Sequence, residues 1–404
     1  MTDNAKSPIL SKNVSSSIGL EPPLRFPGFE VEWSGTKLSR LFKKITQKNK
    51  SGVITNVICN SAKNGLIPQR DFFDKDIANA ENTNGYFIIQ KNDFVYNPRK
   101  SNDAPYGPIS TYKHEEDGIV SPLYLCFRPS RDIDVRYFDA YFKSTIWHRY
   151  IYFAGDSGAR HDRVSIKDEN FFAMPVNIPV LPEQQKIADF LSLVDQRIEK
   201  QRQLVEVLKR YKRGLLFDIF NRKIQLGNNS AWRSVMLSDC CAGFDNMRKP
   251  ISSELREKGT VPYYGANGVQ DYVKDYIFDG NYVLLAEDGG RFDEFYSMPI
   301  AQFITGKSWV NNHAHVLQAL RGFDTKFIYY ALVHKDIRKY INGSSRAKLN
   351  QEDMWQIKIY TPCFDDQKKI ANFMTIVDNM INQHEFRLAK LTNLKNAFLQ
   401  QMFI

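Results

Sequence analysis

No run in this 404-residue chain comes near the roughly 20 consecutive apolar residues that a membrane-spanning helix requires. The polar opening MTDNAKSPILSKNVSSS also lacks the apolar core of a secretory signal. A cytoplasmic protein with no membrane partner is expected. Cysteine is sparse: Cys59, Cys126, Cys240, Cys241 and Cys363 are odd in number and lack the paired CxxC spacing of a zinc site or a disulfide framework. Reduced thiols and no metal follow as the expectation. Acidic residues are in deficit, 45 against 55 Lys and Arg, which leaves a formal charge of +10. A basic surplus favours a polyanionic partner, because side chains that neutralise phosphates release condensed counterions. At roughly 100–200 residues per domain, the length suits two domains.

What the chain has is an internal repeat. Residues 179–220 and 362–403 align without a gap, pairing Pro179 with Pro362, Gln184 with Gln367, Lys186 with Lys369, Asp195 with Asp378, Lys212 with Lys395 and Phe220 with Phe403. Each copy reads as one long helix. In the first, Ile187, Phe190, Val194, Ile198 and Leu208 belong to an apolar stripe at three- and four-residue steps; in the second, Ile370, Phe373, Val377, Ile381 and Leu391 repeat it. About 37 helical residues make a rod of roughly 55 Å at 1.5 Å per residue. A rod with so narrow a stripe is expected to pair with its twin as a coiled coil, with Pro182 and Pro362 just ahead of the helices.

Ahead of each rod lies a region of mixed strand and loop character, and these two regions correspond only loosely. Trp33, Leu38 and Ser39 match Trp232, Leu237 and Ser238; FVYN (94–97) falls opposite YVLL (282–285), and VRYFDAYF (135–142) opposite TKFIYYAL (325–332). The expected fold class is α+β: two globular mixed α/β domains separated by two long antiparallel coiled-coil helices, with an internal pseudo-twofold duplication. The segments are 1–32 (N-terminal segment), 33–178 (first globule), 179–225 (central rod), 226–361 (second globule) and 362–404 (distal rod). Parts with one task keep their sequence, whereas globules that diverge are suited to reading different things.

Three local patterns invite a catalytic reading, and each lacks a part. Ala301 to Ser308 (AQFITGKS) fits a relaxed phosphate-loop spacing, but Phe303 and Ile304 stand where glycines would free the backbone, and no helix follows. Tyr96-Asn97-Pro98 partly matches the Asn-Pro-Pro-aromatic motif of adenine methyltransferases, but Arg99 and Lys100 replace the second proline and the base-stacking aromatic. His313 and His315, two apart on what reads as one strand face, have no third ligand in convincing spacing. A chain without catalytic residues, cofactor or metal is expected.

Basic and amide side chains among aromatics mark candidate DNA-contacting loops. In the first globule these are Tyr96, Asn97, Arg99, Lys100, Ser101, Asn102, Arg160 and Arg163. In the second they are Tyr263, Tyr264, Asn267, Arg291, Asn311, Asn312, His313, Arg346 and Lys348. Arg can engage guanine and Asn adenine in bidentate fashion, while Lys and Ser hold phosphates. The alternatives are ordinary solvated loops and, for Tyr263 and Tyr264, a place in the core. The Lys and Arg of residues 197–213 read as a solvated helix face with some partner contact.

LRFPGFEVEW (24–33), LPEQQKIADFLSLVD (181–195), VPYYGANGVQDYVKDYIFDGNYVLLAEDG (261–289) and DDQKKIANFMTIVD (365–378), in this order, resemble the specificity subunits of type I restriction-modification systems. The resemblance implies that each globule is a target-recognition domain reading one half of an asymmetric bipartite site in double-stranded DNA, and that the rods are spacer regions setting the separation. It further implies a non-catalytic subunit that scaffolds two copies of an adenine methyltransferase subunit, which uses S-adenosylmethionine, and two copies of a restriction and translocation subunit, which uses ATP and magnesium. The competing reading is a coiled-coil assembly adaptor without DNA specificity of its own.

Overall fold

A computed structural model of the protein describes residues 21–71, 83–155, 162–227, 231–343 and 347–404. They form two compact units: one runs up to Glu199 and takes in Ala389–Ile404, and the other is Lys200–Leu388. Among the described residues no helix is long and apolar enough to cross a membrane.

The first unit is built on an antiparallel sheet in the order Phe42–Lys44, Leu125–Pro129, Phe94–Tyr96, Ile109–Thr111. Its Phe94–Tyr96 strand is buried on both faces, with alternate side chains sorted into two clusters. Phe94 and Tyr96 join an aromatic core, whereas Val95 packs with Cys126, Ile45 and Ile58. Register places Phe94 opposite Phe127, and their rings stack at 5.4 Å. Phe42 meets Phe94, Phe127 and Phe138 edge-on at 5.3, 5.2 and 5.1 Å, the geometry that the ring quadrupole favours. The strands Ser34–Lys37 and Pro175–Ile178 pair antiparallel and bring the two ends of the globule together.

The helix Val135–Tyr141 is capped by Asp134, which accepts the Arg136 and Tyr137 amides. It also supplies Asp139, which accepts from Thr111 Oγ1 at 3.0 Å, Lys113 Nζ at 2.9 Å and Lys143 Nζ at 3.0 Å, tying the helix to its neighbouring strand. Burial opposes the charged carboxylate, but Lys143 and Lys113 outweigh it and bring the group to about 2. A depressed folded value stabilises the fold above the unfolded value of about 4, and that stabilisation is lost as pH falls towards 2. Discounted for the exposure of both lysines, it amounts to about 1–2 kcal/mol. Urea titrations of the wild type and Asp139→Asn should therefore differ by that amount at pH 6 and converge as the pH falls from 4 to 2.

The second unit repeats the plan with an aliphatic core. Its sheet runs Cys241–Gly243, Ala314–Ala319, Tyr282–Ala286, Ala301–Ile304, and its central strand is again buried on both faces. Val283 and Leu285 join the main core, while Leu284 packs with Val316 on the other side. The helix Thr325–Leu332 is capped by Asp324 through the Phe327 amide, and Arg233–Met236 pairs with Lys358–Thr361 to close the globule. A further sheet, Gly268–Val273, Lys258–Gly265, Lys307–Val310, Phe278–Asp279, belongs to this unit.

The repeated segments are the helices Leu181–Phe220 and Phe364–Gln401, with Pro182 inside the first turn rather than ahead of it. Their apolar stripes are inward: Ile187, Ile198, Ile370, Val377 and Ile381 are buried, and Phe190, Val194, Leu208, Phe373 and Leu391 are half-buried. In the first unit Phe190 meets Phe398 at 4.9 Å, and Asp195 pairs with Lys395. In the second, Lys212 pairs with Asp378 at 2.5 Å and Lys209 with Glu385 at 2.8 Å. Rising numbers on one helix meet falling numbers on the other, so the pairing is antiparallel. The ion pair of one unit is the repeat of the other, since Asp195 corresponds to Asp378 and Lys212 to Lys395.

A second duplicated contact locks each helix head to its globule. Gln184 accepts the Asp134 amide at 3.1 Å and donates to the Pro179 carbonyl at 2.9 Å. Gln367 accepts the Asp324 amide at 3.0 Å and donates to the Pro362 carbonyl at 3.1 Å. Both glutamines are buried, so removal leaves a buried carbonyl and a part-buried amide without their partner. Gln184→Ala and Gln367→Ala should each cost about 2–3 kcal/mol in chemical denaturation, against a fraction of a kcal/mol for an exposed glutamine on the same helices, such as Gln196.

Candidate nucleic-acid interface

In the first unit the turn after Phe94–Tyr96 is held by its own side chains. Asn97 donates to the Asn60 carbonyl at 3.0 Å and accepts the Arg99 amide at 3.0 Å, while Ser101 Oγ accepts the Ala104 amide at 3.1 Å. The backbones of Arg99 and Arg163 form a bridge, flanked by bonds from the Lys100 amide to Asp162 and from the Val164 amide to Pro98, both at 2.9 Å. Two segments some sixty residues apart in sequence thus present Arg99, Lys100, Ser101 and Asn102 as exposed groups beside the half-buried Arg163. Arg160 lies outside the described residues. Tyr96 does not belong to this surface: it is 1% exposed, donates to the Tyr106 carbonyl and stacks on Phe171 at 5.2 Å. Desolvation pushes its hydroxyl well above the ordinary tyrosine range. Its role is in the core.

In the second unit Tyr263 is also a core residue, 1% exposed, with the Arg256 guanidinium 4.3 Å over its ring. Tyr264 is half-buried against the smaller cluster. Asn267, Asn311 and His313 converge, with Asn267 donating to the Gly289 carbonyl at 2.9 Å and Asn311 accepting the His313 amide at 2.9 Å. Asn312 and Arg291 are exposed nearby in sequence, and Arg291 lies 3.8 Å from Glu294. Lys348 is joined to Asp288 by a backbone bridge and pairs with Glu287 at 3.1 Å. Arg346 lies outside the described residues.

The histidine pair separates. The strand begins at Ala314, so His313 is a turn residue whose Nδ1 meets the Asp288 carboxylate. His315 is 1% exposed, with Nδ1 2.6 Å from Asp245 and Nε2 2.9 Å from the Leu349 carbonyl. Burial would raise the Asp245 carboxyl, but His315, the Val316 amide and Arg248 hold it below the usual carboxylate range. Asp245, Glu287 and His315 stand within 4.8 Å of one another, yet the Arg248 guanidinium lies 2.6 Å from Glu287 and 3.3 Å from Asp245. A cation is therefore already in the place of a metal. The Ala301–Ser308 segment runs from one sheet into another: its strands, Ala301–Ile304 and Lys307–Val310, spend their backbone groups in ladders with other strands. A phosphate cradle needs those groups free.

Gln270 and Asp288 join these loops without a local signal in the sequence. Gln270 meets Asn311 at 3.2 Å, a partnership set by the pairing of Lys258–Gly265 with both Gly268–Val273 and Lys307–Val310. Only its place three residues after Asn267, beyond the Asn-Gly turn, could have suggested it.

A family model described as the type I restriction modification DNA specificity domain matches residues 30–210 and 229–393. A Haemophilus influenzae protein, provisionally assigned as a type I restriction enzyme specificity subunit, is 37% identical over 155 residues, 38% of this chain and 39% of the relative. The Escherichia coli type I restriction enzyme EcoprrI specificity subunit is 23% identical over 132 residues, 33% of this chain and 31% of the relative. The chain thus spans a third or so of the length of these two curated relatives. The crystal structure of the type I restriction-modification system S subunit from M. genitalium covers 95% of this chain and 99% of its own, at 17% identity and a TM-score of 0.56, which is a likeness of fold. With both of its repeated halves matched, the chain belongs to the type I restriction-modification DNA specificity family.

Proposed function

We propose that the chain is a non-catalytic subunit that reads an asymmetric, two-part site in double-stranded DNA, one part per unit. The observation that carries this reading is the contrast between duplicated supports and divergent surfaces. The locking glutamines and the Asp195–Lys395 and Lys212–Asp378 ion pairs repeat residue for residue, whereas the exposed loops do not: the first unit offers Arg99, Lys100, Ser101 and Asn102, and the second offers Asn267, Asn312, His313 and Lys348. Charge on Arg and Lys positions a protein on phosphates, and amide or imidazole edges discriminate bases.

The scaffolding role extends to two copies of an adenine methyltransferase subunit that uses S-adenosylmethionine, and to two copies of a restriction subunit that uses ATP and magnesium. Its support is an exposed apolar pair in each unit. Leu193 and Leu394 are 63% and 47% exposed in the first, and the repeat-related Ile376 and Tyr211 are 64% and 58% exposed in the second. Equivalent patches on duplicated helices suit two copies of one partner.

The test is to express the chain with its methyltransferase partner and map N6-methyladenine in the host DNA. One target with two specific halves and a spacer of constant length is expected, and the purified chain alone should transfer no methyl group and cut no DNA. Scattered methylation, or turnover by the chain alone, refutes the reading.

A further inference from the structure

An open cavity of about 430 Å³ in the second unit is lined by Asn267, Gln270, Asp288 and His313 among others. Two of its polar side chains have their hydrogen-bonding sense set from behind. Asn311 is 3% exposed. Its Oδ1 accepts the His313 amide at 2.9 Å, and its Nδ2 donates to Gln270 Oε1 at 3.2 Å. The Gln270 oxygen is therefore engaged, which leaves its Nε2 as a donor with no partner among the described residues. Gly265 makes room for this placement, because a Cβ there would lie 2.2 Å from Gln270 Nε2. On the other side His313 Nδ1 faces the Asp288 carboxylate and so carries the ring hydrogen. Nε2 of the neutral ring is then an acceptor, and the side chain is 38% exposed.

The cavity thus offers one preset donor and one preset acceptor. In the DNA major groove a single base shows the complementary pair on one edge: adenine, with the N7 acceptor beside the N6 amine. Guanine shows two acceptors there, N7 and O6, and would set O6 against His313 Nε2. We propose that Gln270 and His313 together read one adenine of the half-site taken by the second unit, Gln270 Nε2 donating to N7 and His313 Nε2 accepting from the N6 amine. Asn311 and Gly265 act as positioning residues behind them. The inference rests on the proposed function and adds to it the base and the atoms.

The experiment uses the full chain in complex with its methyltransferase partner. Once the target of the wild type is mapped, binding is measured to duplexes in which each base pair of the second unit's half-site is changed in turn. One A·T pair should stand out, with its replacement by G·C weakening binding about ten- to hundred-fold, the range of one bidentate base contact. Gln270→Glu, which replaces the donor by an acceptor, should bring that preference to within about threefold of none and leave every other position unchanged. Gly265→Ala should do the same in part, since its methyl group displaces the flexible end of Gln270 without altering its chemistry. Should Gln270→Glu melt early, Gln270→Met supplies the same reading without a new charge. An unaltered preference in these variants, a loss spread evenly over the half-site, or a G·C pair at the affected position overturns the inference while the bipartite reading stands. A wild-type chain with no bipartite target fails at the earlier step.

Discussion

Exchanging residues 36–174 for the matching region of a relative is expected to replace one half of the DNA target completely and to leave the other half as it was. The exchanged stretch holds the sheet Phe42–Lys44, Leu125–Pro129, Phe94–Tyr96, Ile109–Thr111 and the surface around Arg99 and Arg163. Its ends fall at the ladder of Ser34–Lys37 with Pro175–Ile178, which closes the globule. The aromatic core beneath this surface draws on residues of the first unit, while the aliphatic core of the second unit draws on Leu215 to Ile381. Cores that share no side chains can change independently. Mapping N6-methyladenine in cells carrying the exchanged chain reads the result, and a change in both halves of the target would mean that the units do not read separately.

The largest expected loss of stability from one side chain is at His315. His315→Ala should lower the unfolding free energy by about 3–5 kcal/mol, the usual cost of removing one partner from a buried charged network. The ring bridges two elements, the Asp245 carboxylate at 2.6 Å and the Leu349 carbonyl at 2.9 Å. Without it the carbonyl has lost its side-chain donor in a dry interior, and Asp245 retains Arg248 and the Val316 amide alone. Leu349 belongs to the short strand Lys348–Leu349 beside the cavity, so the same substitution should also loosen the surface that carries Lys348. His313→Ala, at a partly exposed ring, should cost about 1 kcal/mol or less in the same urea titration. Equal costs for the two histidines would refute the division of labour between them.

What could be read in the chain before folding was whatever depends on near neighbours. Helical periodicity is a matter of three- and four-residue steps, so the stripe from Ile187 to Leu208 and its repeat from Ile370 to Leu391 were legible, and with them the duplication and the fold class. The candidate DNA-contacting surface was legible only as a set of residue types. Tyr96 was misplaced because alternation separates inside from outside only when one face of a strand is wet, and its strand is covered on both faces; for Tyr263 the alternative of a place in the core holds. His313 and His315 were assigned to one strand face, but the strand starts between them.

By itself the sequence determined that there are two globules and two long helices, that the helices repeat, and that the surplus charge is basic, because composition, register and periodicity are properties of the chain alone. Tertiary structure decided which partners meet: Asp195 with Lys395, Gln184 with the Asp134 amide, Arg99 with Arg163, and Asn311 with Gln270. These contacts join residues tens to hundreds of positions apart. Their selection rests on strand register and on the antiparallel meeting of the helices, which are set by burying two cores at once rather than by any local preference.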